Sequence, residues 1–306
     1  MKRRKILDLL KWVWIAAVVI GAGYYIYRNY REIAASVRSI STGHFLLCFV
    51  FLFLGKFAVS EITRLSLKKI DRHMPYKEAL TITTVTQLGK YLPGGIWHIA
   101  AKFGIYKVQG MRTGGATRVM ILENYWLLSS ATVIGALALL NSSQNLVCQF
   151  LPFLCQAERN FGLSVLVGLV WLASLVLVER ILFPEKKIIW VDIIRTFFVL
   201  VVIWFSFGLS QWLVFPSQYA SYIIPVIGVF SISWVAGYIA VFAPGGLGVR
   251  ELLFTLVLSP ILPAEKVLIF ATFHRLLWVV AELVLGIGSQ LVFGMPLEEK
   301  EPAPLK

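Results

Sequence analysis

Apolar runs dominate this chain, and their length decides what it can fold into. A helix needs about 20 mainly apolar residues to cross a bilayer core. Stretches near that length occur at Trp12–Tyr27, Phe45–Ser60, Val119–Leu140, Phe161–Val178, Ile188–Phe215, Tyr222–Ala243 and Val267–Phe293. With 58% hydrophobic and 15% charged residues, the chain lies outside the range of soluble domains. The expected fold class is therefore all-α: a polytopic integral membrane helix bundle of about seven spans, forming one membrane domain over residues 1–306. Two further segments, Ala79–Ile105 and Gly246–Leu262, are apolar yet interrupted by Gly, Pro and charge, and read as re-entrant or broken helices. Irregular backbone at that depth persists only where protein or a watery cavity satisfies it.

The interruptions match. Pro93-Gly94-Gly95 and Pro244-Gly245-Gly246 fall at corresponding places in the two halves, which suggests pseudo-repeats over residues 45–140 and 188–293. Broken hydrophobic segments in corresponding positions point to a substrate site.

A net charge of +13 raises nucleic acid as a partner, but the basic residues sit between apolar runs and form no continuous patch, so no nucleic acid is expected. Topology explains them better. Lys2, Arg3, Arg4, Lys5 and Lys11 precede the first run, and Arg64, Lys68, Lys69, Arg72 and Lys77 follow the second. The positive-inside rule then puts the N-terminus in the cytoplasm of a plasma-membrane protein, with Arg28, Arg31 and Arg38 in mild conflict. The first run is expected to be an uncleaved helix, because no small-residue cleavage site follows it. The basic stretch from Lys102 to Arg118 makes Ala79–Ile105 a hairpin that returns to the cytoplasmic side, whereas Gly246–Leu262 either crosses or turns back. Cys148 and Cys155 share an outward loop and either bridge or stand as free thiols. Four scattered histidines offer no metal-ligand spacing, so neither metal nor other cofactor is expected. The longest polar stretches are short connectors, which places the machinery within the membrane part.

Ionisable residues inside a membrane are functional candidates, each to be weighed against a structural pairing. At the first interruption, glycines let a ligand approach the backbone. A helix starting near Ile96 would aim its positive dipole end at an anion, with Lys90, Trp97, His98 and Lys102 alongside. The plainer reading is a Pro-Gly turn with Lys90 reaching for the interface. In Pro244-Gly245-Gly246-Leu247-Gly248-Val249-Arg250-Glu251, glycines again precede a helical run, now with charge in its first turn; close helix packing at Gly246 and Gly248 is the alternative. The Gly-Lys-Ser/Thr ending of a nucleotide loop is missing, which argues against ATP. Glu123 is either an acid at a helix start or a cavity residue. Arg275 in mid-run needs a partner, for which Glu282, two turns along the same face, is the simplest choice, with Glu251 or a lipid phosphate as alternatives. Asp192 and Arg195 are spaced to neutralise each other. Lys56 with Glu61, and Glu179 with Arg180, read as interfacial.

The run Pro244 to Glu251 resembles the C-terminal signature of the lysylphosphatidylglycerol synthase transmembrane region family. Tyr91-Leu92-Pro93-Gly94 followed by Trp97, Glu123 at the start of the next long run, and His274-Arg275 in the last one fall in that family's order. The resemblance spans roughly Ala79–Phe293 and implies a membrane bundle with re-entrant helices, related to the flippase part of multiple peptide resistance proteins, and lipid translocation. Many relatives carry an arginine and an acid after the first Pro-Gly, where this chain has Gly95 and His98; Asn124 stands where an arginine is frequent. The aminoacyl-transferase domain of the two-domain relatives is not expected here. The resulting expectation is a flippase-like carrier of a phosphate-headgroup lipid, either a phospholipid or a polyprenyl-phosphate-linked sugar. Gly94, Gly95, Gly245 and Gly246 would hold the headgroup; Lys90, Lys102 and Arg250 would attract it. Glu123, Glu251 and Arg275 would close the cavity, and His98 would carry a proton. Two rivals are an intramembrane transferase using Glu123 or Glu251 as general base, and a scaffold for a partner enzyme of lipid or glycan biosynthesis.

Overall fold

The computed structural model describes residues 40–92, 95–142 and 157–296, with single positions between 27 and 38. The expected first span and the Cys148/Cys155 loop lie outside the described residues. Nine α-helices follow in order among the described residues: α1 (Thr42–Lys68), α2 (Tyr76–Leu88), α3 (Trp97–Val108), α4 (Thr113–Leu140), α5 (Ala157–Leu182), α6 (Trp190–Trp212), α7 (Ile223–Ile239), α8 (Val249–Leu258) and α9 (Ala264–Phe293). Among the described residues there is no strand. Among the described residues six helical segments are long and apolar enough to cross a membrane, and each overlaps one of the expected runs; one of them, Ser217–Ile239, contains α7, which turns back. The protein is an integral membrane helix bundle.

Charge marks one end of it. Lys68 at the end of α1 pairs with Asp192 at the start of α6 (2.8 Å), Lys69 with Glu179 near the end of α5 (2.7 Å), and Arg118 of α4 with Glu185 (2.7 Å). Arg195 takes Glu61 (2.5 Å) rather than Asp192, so the expected Asp192–Arg195 pair does not form. Asp192, one turn into α6, points at the neighbouring helix, where a lysine offers a partner that local spacing cannot foresee. Glu179 is likewise buried on Lys69 and is not merely interfacial.

Helix length then dictates the rest. At about 1.5 Å per residue, the 13 residues of α2 and 12 of α3 reach only some two-thirds of the way across. They form a re-entrant hairpin whose outer ends meet at the charged end of the bundle, where Arg72 donates to the Gln109 carbonyl (2.6 Å). The second broken segment turns back too. Its arms are α7 and the 10-residue α8, and Phe254 of α8 stacks near Phe215 at the far end of α6, which also holds Phe270 of α9 (ring centroids 6.4 and 5.0 Å). α9 runs back to the charged end, where Gln109 donates to the carbonyl of Pro296 (2.8 Å).

Each half therefore reads span, hairpin, span, and the two hairpins enter from opposite ends. The packing respects that exchange: α1 lies against α6, while α4 on α7 mirrors α9 on α2. Close crossings use small residues, as in membranes generally. At the α4–α7 crossing, a Cβ on Gly135 would sit 3.0 Å from the Gly228 carbonyl oxygen, and one on Gly228 3.1 Å from that of Gly135. α5 packs on α4 and leaves most of its surface to lipid.

Candidate functional site

The hairpin tips meet inside the bundle. The first tip narrows through a 3-10 turn, Gly89–Tyr91; its Pro93 and Gly94 lie outside the described residues. Gly95 adopts φ +67° and presses on the second tip so closely that a Cβ there would lie 2.6 Å from the Val241 carbonyl oxygen. The second tip is the 3-10 turn Pro244–Gly246, with Gly245 at φ +60° and Gly246 at φ +75°. Arg275 of α9 donates to the Gly245 carbonyl and lies 5.8 Å from the Tyr91 ring.

Between the tips is a cavity of about 110 Å³. At some 10–15 Å³ per water, that is room for a phosphate-sized group with several waters. Lys90, Gly95, His98, Lys102, Glu123, Gly245, Gly246 and Arg250, all expected at a site, line it. Pro244 is buried at the tip behind it, and Gly248 at the start of α8 donates its N–H to the Glu251 carboxylate (2.8 Å). Trp97 is half exposed and outside the wall. Glu251 and Arg275 line a smaller adjoining cavity that shares Arg250, Trp234 and Trp278 with the first.

Electrostatics separates these residues. Glu123 is buried and paired with Lys102; its oxygens also accept from Ser66 (2.7 Å) and Tyr106 (3.1 Å), so it is a cavity acid rather than a simple helix-start charge. Lys90 pairs with Glu282 of α9, which in addition accepts from Tyr91 (2.5 Å), Trp278 (2.8 Å) and Lys56. Glu282 is therefore the hub of the first tip and not the partner of Arg275. Two turns along α9 carry it from the second tip, where Arg275 is occupied by Gly245 and by Glu251 (3.7 Å), to the faces of α1 and α2. Lys56 is not interfacial either: it is 3% exposed, lines the cavity and stands 3.7 Å over the Trp278 ring. Its run looked finished at Ser60, but α1 continues to Lys68 and leaves Lys56 near mid-helix.

Arg250 differs from the other cations. Its guanidinium lies 5.4 Å from the Trp234 ring, its Nε has no hydrogen-bond partner, and no carboxylate pairs with it among the described residues. The walls of the two cavities carry five cations, Lys56, Lys90, Lys102, Arg250 and Arg275, against two carboxylates, Glu123 and Glu251; Glu282, behind Lys56 and Lys90, brings the acids to three. Among the described residues no cluster could hold a metal ion.

The sequence profile of the lysylphosphatidylglycerol synthase transmembrane region matches residues 14–286. The chain belongs to that family. Its role is accordingly that of a membrane module connected with lipids. No curated protein matches the chain at a significant level.

Proposed function

We propose that the protein is a flippase-like carrier that moves a phosphate-headgroup lipid across the plasma membrane, with its N-terminus cytoplasmic. The observation that carries this reading is the surplus of buried cations around the central cavity, and Arg250 above all. A charge without a counter-ion is expensive within a bilayer and is kept where a ligand supplies the opposite sign. An arginine also matches the oxygen geometry of phosphate. The headgroup would sit between the tips while its chains remain in lipid. The halves 45–140 and 188–293 are inverted pseudo-repeats on this reading, and rocking one against the other would open the cavity alternately to the two sides. A transferase is less well supported: Glu123 and Glu251, the carboxylates expected to serve as its general base, each face a cation, Lys102 and Arg275.

Transport tests the reading directly. Protein reconstituted into vesicles with a fluorescent phosphatidylglycerol analogue is expected to speed the analogue's passage between leaflets, read by dithionite quenching, and Arg250→Gln is expected to slow it at least about tenfold. Passage no faster than in protein-free vesicles, or unaltered in the variant, overturns the proposal.

A further inference from the structure

We propose that the smaller cavity behind Arg250 is a binding site for a monovalent inorganic anion of chloride's size, distinct from the headgroup cavity. Three polar atoms in its wall have no hydrogen-bond partner among the described residues: Nε of Arg250, Nε of Arg275 and the hydroxyl of Ser233. Two of these residues are almost fully enclosed, Ser233 at 3% and Arg275 at 7% exposure. Buried donors left unpaired are rare and each calls for an acceptor.

Charge selects the acceptor. Arg250 and Arg275 face this cavity with a single carboxylate, Glu251. One oxygen of Glu251 accepts the Gly248 N–H at 2.8 Å and the other stands 3.7 Å from Arg275 Nε, beyond hydrogen-bond range. The remaining polar neighbours are spoken for: His274 Nε2 shares a hydrogen bond with Ser210 (2.8 Å), and Gln211 donates to the Phe270 carbonyl (3.4 Å). One positive charge is left over, and waters could satisfy the donors without balancing it.

Size excludes the larger anions. The cavity holds about 30 Å³, or roughly two waters by the measure used above. That space accepts a halide, which is little larger than water, but not a phosphate with its four oxygens. Phe230, Trp234, Phe254 and Trp278 complete the wall with apolar surface, suiting a weakly hydrated ion that accepts N–H and O–H donors. Because Arg250 lines both cavities, an anion in one weakens the attraction of the other, and the effect is reciprocal.

Equilibrium binding of chloride-36 to the purified full chain in detergent, at constant ionic strength with gluconate as the replacing anion, decides the matter. The expected result is saturable binding of one chloride per chain, displaced by bromide. Ser233→Ala is expected to weaken it about tenfold, in line with loss of one hydrogen bond to a charge, and Arg275→Gln to abolish it. Ser233→Ala removes an unpaired hydroxyl, so on a purely structural role it would leave chloride binding untouched. Absence of saturable binding in the wild type, or equal affinity in the folded Ser233→Ala protein, overturns the assignment.

Discussion

The two hairpin tips share a sequence pattern but not an electrostatic state. At the first, Lys90 and Lys102 are each held by a carboxylate, Glu282 and Glu123, supplied by long helices behind the hairpin. At the second, Arg250 lies between two glycines and an indole with no acid assigned to it. One tip is a neutralised strut. The other leaves Arg250 without an acid among the described residues. A similar turn thus fixes where the backbone bends in both places, while the acids supplied by neighbouring helices decide how much of the charge beside it is neutralised.

The comparison can be broken at its strongest point first. Glu282→Gln leaves Lys56 and Lys90 buried without a counter-charge and is expected to lower stability by about 3–5 kcal/mol, read as a shift in reversible unfolding in mixed detergent micelles; wild-type stability would mean that the first tip is not held by this acid. Gly237→Ala sharpens the other side. A Cβ at Gly237 would fall 2.3 Å from Arg250 Cγ, so the arginine must leave its place on Trp234. An overpacking cost of about 1–3 kcal/mol is expected, together with loss of headgroup transport. The smallest effect on stability belongs to Arg250→Gln, within about 1 kcal/mol of wild type, since no ion pair is broken. If that change destabilised the fold as much as Glu282→Gln, the two tips would be equivalent and the contrast would disappear.

Much of this architecture was legible in the apolar runs and their interruptions. Six of the expected spans overlap long apolar helices, although Tyr222–Ala243 falls on a helix that turns back, and Ala79–Ile105 is the hairpin that its glycines and flanking charge implied. Gly246–Leu262 could not be assigned from sequence, because a 10-residue helix is compatible with turning back or passing on; Phe254 beside Phe215 resolves it. Partner choice was the illegible part. Spacing puts Arg275 and Glu282 on one face of α9, yet nothing local shows that one meets a backbone carbonyl from the turn between α7 and α8 and the other a pair of lysines from α1 and the 3-10 turn of the first tip. Asp192 and Arg195 fail for the same reason, as each finds a better-placed charge on another helix. Lys56 was discoverable: a lysine four residues short of a supposed span end becomes a buried one as soon as the helix is allowed to continue.

The Lys90–Glu282 pair also carries a timetable for biogenesis. The two residues are separated by 192 positions, so a ribosome delivers the hairpin lysine long before the acid that will neutralise it. Lodging that tip in lipid early would strand an ammonium group in hydrocarbon, so the first hairpin is expected to reach its final seat only once the last helix has emerged.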